Sequence, residues 1–122
     1  MPKLEFFETI DSTNLALERA NRSELPELTA FIAAAQSAGQ GRLGRNWVSE
    51  PGASISLSLL LRPVSQTQKG WLTLMMAGAV RQMVETFAPD ANPRIKWPND
   101  VLTSERKLSG ILARAIGDEV IL

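Results

Sequence analysis

The pattern of hydrophobic and polar positions predicts short strands separated by two helices. Residues 4–10, around Phe6-Phe7, and the compact apolar segment 31–36 are typical of strands. Between them, residues 11–13 (Asp-Ser-Thr) are all good N-cap types, and they predict a helix over residues 14–21. The second strand leads directly into a segment that is rich in glycine and arginine.

The middle of the chain predicts one more strand and the only long helix. Period-two alternation predicts a strand, ended by Pro63, with one face buried: Ile55, Leu57, Leu59 and Leu61. Over residues 68–87, apolar positions recur at three- and four-residue spacing. This periodicity predicts an amphipathic helix that packs its apolar stripe on the sheet: Leu72, Met76, Ala79, Met83 and Phe87.

The last third of the chain predicts strands again. Residues 94–97 and 101–102 read as strand pieces, residues 108–116 as one strand, and residues 117–118 (Gly-Asp) as a hairpin turn into the final strand at residues 120–122. The fold class predicted is α+β, a mostly antiparallel mixed sheet covered by helices on one face. A chain that stops inside an apolar strand predicts a domain truncated at its C-terminal end, whose last strand seeks a partner and supports a homodimer.

Composition narrows the chemistry. The 122 residues contain no histidine and no cysteine, which excludes thiol nucleophiles, imidazole or thiolate zinc sites, Ser-His-Asp catalysis and disulfides within this chain. Thirteen basic and thirteen acidic residues give zero formal net charge, so no general attraction to nucleic acid or membranes is expected. No signal segment or apolar run of membrane length is visible, and we expect a soluble cytoplasmic protein.

The segment Gly39–Trp47 (GQGRLGRNW) carries the strongest chemical signal. Glycines let a backbone approach a ligand closely, and arginines bind phosphate or carboxylate, so the segment reads as a flexible clamp for an anion. Residues 39–44 match G-x-G-x-x-G, but neither the following helix nor the ribose-binding acid of a dinucleotide fold is present. Kinase and P-loop motifs are also missing. A surface hairpin loop with solvated arginines remains an alternative on this segment alone.

Four segments, in matching order and spacing, resemble motifs of the biotin protein ligase family. GQGRLGRNW is similar to the ligand-covering loop of that family, and KWPNDV (residues 96–101) to its KWPND signature. KLSGIL (residues 107–112) resembles its KxxGIL segment, and DSTN (residues 11–14) its biotin-contacting turn. The four motifs span residues 11–112, nearly the whole chain. The resemblance implies a biotin/lipoate ligase catalytic domain of the class II aminoacyl-tRNA synthetase-like fold. Since the motifs begin at residue 11, no N-terminal DNA-binding domain is expected.

The resemblance also implies an activity: ATP converts biotin to biotinyl-5′-AMP, and biotin then passes to a lysine of a biotin carboxyl carrier protein. Lys107, Arg42 and Asp100 would be catalytic, with Asp100 also a candidate ligand for Mg²⁺. The residues assigned to biotin are Ser12, Thr13, Asn14, Gln36, Gly39, Gln40, Gly41, Arg42, Lys107 and Gly110. Those assigned to ATP or the adenylate are Arg42, Arg45, Trp47 and Lys107.

Each assignment has a structural alternative. Lys107 could be a solvated hairpin lysine, Asn99-Asp100 a plain turn, and Ser12-Thr13 only an N-cap, while Trp97 is expected in the core. Gln40 departs from the family pattern, which has an arginine there, so the clamp lacks one positive charge. At the level of function, the alternatives are a lipoate–protein ligase and a non-catalytic biotin-binding fragment.

Overall fold

The computed structural model describes residues 1–122, which divide into two units. One unit comprises residues 1–64 and 114–122, and the other comprises residues 65–113. In chain order the elements are β1 (Leu4–Ile10), α1 (Thr13–Arg19), β2 (Ala30–Gln36), β3 (Gly39–Gln40), β4 (Asn46–Trp47), β5 (Ser56–Leu61), α2 (Gln66–Phe87), β6 (Arg94–Lys96), β7 (Asp100–Thr103), β8 (Arg106–Gly110), β9 (Arg114–Ile116) and β10 (Glu119–Ile121). Short 3₁₀ turns lie at Arg22–Glu24, Arg42–Gly44 and Pro89–Ala91.

The first unit is a five-stranded sheet with α1 on one face. The strand order is β1-β2-β5-β10-β9, in which β1 and β2 are parallel and every other neighbouring pair is antiparallel. Leu17 of α1 packs against Phe31, Leu60 and Ile121 from three strands of the sheet. Burial of these four side chains removes apolar surface from water, and each Å² removed stabilises the folded unit by roughly 25 cal/mol. The ribbon β3–β4 stands apart from the sheet as the stem of the glycine–arginine loop.

The second unit packs α2 against the antiparallel sheet β6-β7-β8. Ser65 caps α2 by accepting a hydrogen bond from the Gln68 backbone N–H at 3.2 Å. Val101, in the middle strand, is fully buried. The predicted α+β class is therefore confirmed, with an antiparallel-rich sheet and one helix packed in each unit. No helix in the structure has both the length and the sustained apolar character that a bilayer crossing requires.

The face of β5 that the alternation pattern selected is the wrong one. Ser58 and Leu60 are buried, whereas Leu57 is 47% exposed and Ile55, before the strand, is 80% exposed. The reason is that a polar residue lies on the inner face: the Ser58 hydroxyl is hydrogen-bonded to Thr13 and Asn14 of α1. A buried serine with partners in α1 cannot be told from a solvated one by periodicity.

The last strand also differs from its expectation. β10 lies between β5 and β9, and Leu122 exchanges backbone hydrogen bonds with Leu59 at 2.9 and 3.0 Å. The expectation that this strand is an exposed edge seeking a partner is therefore wrong, since the sheet edges are β1 and β9. The residue pair Gly117-Asp118 does form the predicted tight turn, because Ile116 and Glu119 pair directly across it.

Three further expectations in the second half of the chain need correction. The predicted strand over residues 108–116 is two strands, β8 and β9, which belong to different sheets. On α2, Ala77 is buried, but Ala79, Met83 and Phe87 are exposed, because apolar residues surround most of the helix and do not mark one face. Trp97 is 78% exposed rather than in the core, since it follows β6 in the turn that leads to β7.

Candidate functional site

The N-terminus of α1 gathers the polar residues of the DSTN motif. Ser12 is the N-cap, and its hydroxyl accepts the Leu15 N–H at 3.3 Å. Ser12 and Thr13 are 2% and 3% exposed, so their positions are fixed by packing as well as by hydrogen bonds. Asp11 precedes them; hydrogen bonds from Arg19 and from the Ser12 N–H hold the pKa of its carboxyl below the usual value. The motif is thus an N-cap, as its structural alternative proposed, and it also presents ordered polar groups.

Gln36 links this helix terminus to the loop. At the end of β2, its Oε1 accepts hydrogen bonds from the Thr13 N–H at 2.8 Å and from the Thr13 hydroxyl at 3.1 Å. Its amide nitrogen lies beside Gly39, where an added Cβ would approach it to 2.8 Å. Three of the predicted biotin-contacting residues, Thr13, Asn14 and Gln36, therefore lie in one hydrogen-bonded group that includes Ser58. Ser12 adjoins this group as the N-cap of α1.

A short ribbon forms the stem of the loop. Gly39 pairs with Trp47 and Gln40 with Asn46, and the Gly41 N–H donates to the Arg45 carbonyl at 2.7 Å. Gly39 is required here because a Cβ would lie 2.4 Å from the Trp47 carbonyl oxygen. The sequence suggested that this glycine lets a ligand approach the backbone closely. In the structure, the group that approaches Gly39 is the backbone carbonyl of Trp47.

The tip of the loop is a single 3₁₀ turn that carries the arginines. Leu43 and Gly44 both have positive φ, +58° and +72°, and the Arg45 N–H closes the turn on the Arg42 carbonyl at 3.2 Å. Arg42, Leu43 and Arg45 are exposed, while Trp47 at the stem is half-buried. Two guanidinium groups three residues apart on a turn without acidic residues can engage an anion that settles on this loop.

Arg114 is a residue at this loop that sequence reasoning did not single out. Its Nη1 donates to Gln40 Oε1 at 2.7 Å, and its Nη2 lies 3.0 Å from Glu18 Oε2 on α1. Gln40 and Arg114 are 74 positions apart in the chain, and no local pattern signals such a pair.

In the second unit, the KWPND and KLSGIL motifs meet across β7 and β8. Lys107 Nζ lies 3.0 Å from Asp100 Oδ1, an atom with almost no accessible surface. Asp100 pairs in register with Gly110 on one side and with Lys96 on the other. The Asp100 carboxylate therefore orients the Lys107 ammonium, although 43% of the Lys107 side chain remains exposed.

Asn99 fixes the backbone that follows this pair. Its side-chain Nδ2 donates to the Ile111 carbonyl at 3.1 Å, and its own carbonyl accepts the Ile111 N–H at 2.9 Å. These two bonds hold the end of the KLSGIL segment against the start of β7. Asn99 thus fixes the backbone next to Gly110, whereas Asp100 contacts Lys107 directly.

The donor set around Asp100 does not form a metal cage. The structure groups no three histidine, cysteine, aspartate or glutamate side chains in metal-binding proximity. The buried oxygen of Asp100 already faces the Lys107 ammonium. Mg²⁺ commonly binds through one or two carboxylates together with substrate phosphates. This arrangement fits an acid that orients Lys107 better than one that holds a metal, and the Mg²⁺ assignment for Asp100 stays a prediction.

The amino-acid sequence is similar to those of known ligases. Residues 6–122 match the biotin/lipoate A/B protein ligase family. The chain is 39% identical over 117 residues to the bifunctional ligase/repressor BirA of Bacillus spizizenii, which covers 95% of this chain and 36% of that protein. It is 42% identical over 96 residues to the biotin–[acetyl-CoA-carboxylase] ligase of Mycobacterium tuberculosis, covering 75% of this chain and 36% of that protein.

Solved structures agree with the sequence matches. The biotin protein ligase of Leishmania major, in complex with biotinyl-5-AMP, superposes with a TM-score of 0.85 at 27% identity, covering 99% of this chain and 55% of that chain. The chain thus spans about a third of the length of the curated relatives and about half of this structural neighbour.

Proposed function

Because the chain belongs to the biotin/lipoate A/B protein ligase family, we propose that it acts in biotin–protein ligation. Biotin and ATP react to biotinyl-5′-AMP, and the biotinyl group is then transferred to a lysine of a biotin carboxyl carrier domain. The glycine–arginine loop is the main support for the proposal. Its stem follows Gln36, which accepts two hydrogen bonds from Thr13, and its tip exposes Arg42 and Arg45.

The first step needs two anions to approach each other. A carboxylate oxygen of biotin attacks the α-phosphorus of ATP, a new C–O–P linkage forms, and the bond to pyrophosphate breaks. Catalysis of such a step consists largely of positioning and charge neutralisation. Lys107, oriented by Asp100, supplies one positive charge for this purpose. Any Mg²⁺ would enter with the phosphates of ATP and add charge neutralisation there.

The mixed anhydride must then survive until the acceptor lysine arrives. In the second step the neutral lysine amine attacks the biotinyl carbonyl, an amide forms, AMP leaves and the amine loses a proton. Water would hydrolyse the anhydride in competition. We assign Arg42 and Arg45 to covering the adenylate phosphate, and half-buried Trp47 to the wall of this cover. Gly41, bonded to Arg45, shapes the turn that carries both arginines.

Biotin itself carries a ureido ring that needs neutral hydrogen-bonding partners. The ordered group of Ser12, Thr13, Asn14 and Gln36 supplies hydroxyl and amide functions of that kind. Gly39, Gln40 and Gly110 remain assigned to the biotin side as backbone approaches or loop contacts. The Mycobacterium tuberculosis relative is named as a biotin–[acetyl-CoA-carboxylase] ligase. We therefore propose that the acceptor is the biotin carrier domain of an acetyl-CoA carboxylase. A homodimer remains a prediction.

The test is direct detection of the adenylate. The chain is incubated with biotin, ATP and Mg²⁺, and the acid-quenched mixture is analysed by mass spectrometry for biotinyl-5′-AMP, with ATP omitted as the control. Lipoate replaces biotin in a parallel sample. Formation of biotinyl-5′-AMP supports the proposal. Formation of lipoyl-AMP instead would favour lipoate ligation, and biotin binding without any adenylate would favour a binding module.

A further inference from the structure

Arg114 on β9 ties the glycine–arginine loop to helix α1. One nitrogen of its guanidinium donates to Gln40 in the loop stem at 2.7 Å, and the other lies 3.0 Å from the Glu18 carboxylate of α1. The planar fork of an arginine can serve two acceptors at once without changing rotamer. Arg114 and Glu18 are each 34% exposed, so this bridge is partly shielded from solvent.

The stem of the loop has little stability of its own. Each of its strands, β3 and β4, contains only two residues, and an isolated two-stranded ribbon is marginal even when it is longer. The segment that leads into the stem is held by the two hydrogen bonds that Thr13, at the start of α1, donates to Gln36. The stem itself is held by the bridge from Gln40 through Arg114 to Glu18 in the same helix. Both sets of contacts therefore fix the position of the loop relative to α1.

We propose that Arg114 is a positioning residue, which keeps the loop stem in place so that Arg42 and Arg45 need little ordering when they meet the anion. The identity of that anion as the phosphate of biotinyl-5′-AMP rests on the proposed function. An ordered loop binds more tightly because less conformational freedom is lost on binding. Gln40 stands where the resembled family pattern carries an arginine, and an arginine there would face Arg114 with like charge.

Limited proteolysis tests the anchoring without any ligand. Trypsin cleaves after Arg42 and Arg45, and its rate on the folded protein follows the population of opened loop. Arg114→Met keeps side-chain length and removes the donors, while Gln40→Met removes the side-chain amide that accepts this bond in the stem. We expect either change to accelerate loop cleavage about three- to tenfold. The double variant should be no faster than the faster single variant, since both changes break the same bond.

Two controls separate loop opening from general destabilisation. Cleavage after Arg22, in the same unit but outside the loop, serves as the internal reference and should keep its wild-type rate in all variants. Arg81→Met removes an ion pair of the same kind, to Glu85 on α2, and should leave loop cleavage unchanged. Loop cleavage at the wild-type rate in Arg114→Met, or multiplicative effects in the double variant, would overturn the anchoring role.

Calorimetry with biotin and with biotinyl-5′-AMP tests what the anchoring does. For Arg114→Met, we expect three- to tenfold weaker binding of biotinyl-5′-AMP and less than twofold change for biotin. Equal weakening of both ligands would reduce Arg114 to a structural role and overturn the positioning proposal. If the wild-type chain binds neither ligand, the proposed function fails, and the cleavage rates still decide whether Arg114 holds the loop.

Discussion

At the scale of single residues, Gly39 lies where the loop stem, the Trp47 backbone and the Gln36 side chain meet. The Trp47 carbonyl oxygen is part of the ribbon and cannot rotate away as a flexible side chain could. Glycine is therefore dictated here by the protein's own packing, before any ligand is considered. Gly44, by contrast, has open space around it and is favoured by its φ of +72°.

Gly39→Ala should destabilise the stem and weaken biotin binding together. The added methyl would press on the Trp47 carbonyl and displace the Gln36 amide, so we expect a loss of about 1–3 kcal/mol in the free energy of unfolding. Chemical denaturation and calorimetry with biotin measure the two effects. Gly70→Ala is the control. Gly70 lies on the exposed surface of α2, where an added Cβ would have no neighbouring atom within 4 Å, so the substitution should raise the free energy of unfolding by about 0.5–1 kcal/mol. A neutral Gly39→Ala would contradict the close packing.

Lys107→Gln should suppress adenylate formation and leave the fold intact. Glutamine can still donate a hydrogen bond to Asp100, but it carries no charge to neutralise the approaching anions, so we expect roughly a hundredfold lower rate. Pyrophosphate release that depends on biotin measures the rate, and thermal unfolding reports on the fold.

Arg106→Gln is the matched control for Lys107. It removes an exposed cation from the neighbouring position of β8, whose side chain points to the opposite face of the strand. The control should keep the wild-type rate of pyrophosphate release. Normal release by Lys107→Gln would return that lysine to the role of an ordinary solvated side chain.

At the scale of the elements, the sequence predicts local features well and the packed face poorly. The Ser12 cap, β2 and the Gly117-Asp118 turn follow from residue preferences within a few positions, and they are found where expected. The buried face of β5 depends on Ser58, whose partners are supplied by α1 from more than 40 positions away. On α2, apolar residues on most sides leave the choice of face to the sheet that it meets.

In the candidate site, too, the sequence predicts which residues take part but not which of them come into contact. The resemblance assigns Asp100 and Lys107 to catalysis, but their 3.0 Å contact depends on the register of β7 against β8, which includes an irregularity between Val101 and Leu102. The Gln40–Arg114 bond depends on the order of strands in the sheet. Contacts of this kind follow from topology, which residue types and spacing do not specify.

Arg42→Gly should weaken retention of the adenylate more than binding of biotin. The guanidinium meets a phosphate that is present only after ATP has reacted, and loss of a charge-assisted contact corresponds to roughly ten- to hundredfold faster release. Displacement of biotinyl-5′-AMP in a stopped-flow trap experiment measures this release, and released adenylate should label lysines of bystander proteins.

Leu43→Gly is the control for loop flexibility. It places a glycine in the same 3₁₀ turn, at a position with φ of +58°, and keeps both arginines. Its release rate should stay within about threefold of wild type if charge rather than flexibility governs retention. Equal release from the two variants would contradict the assignment of Arg42 to the phosphate.

At the scale of the whole molecule, the absence of histidine and cysteine sets the response to pH. No side-chain type in this chain has an ordinary pKa between about 5 and 8, so the free energy of unfolding should be flat across that range. The acidic side differs. Burial alone raises the pKa of Glu119, but hydrogen bonds from Arg22 and Arg62 outweigh it, and the pKa of Glu119 lies below its usual value.

Glu119 joins β10 to Arg22, in the turn after α1, and to Arg62, just past β5. A carboxyl whose pKa is lower in the folded state contributes stability that is present above its unfolded pKa and is lost as pH falls through its folded pKa. Glu119→Gln should therefore cost about 1–3 kcal/mol at pH 7, and its difference from wild type should shrink below about pH 4.5. Urea denaturation at pH 7, 5, 4 and 3 measures this, with the exposed Glu8→Gln as control. A difference that stays constant down to pH 3 would show that Glu119 contributes through packing rather than through its charge.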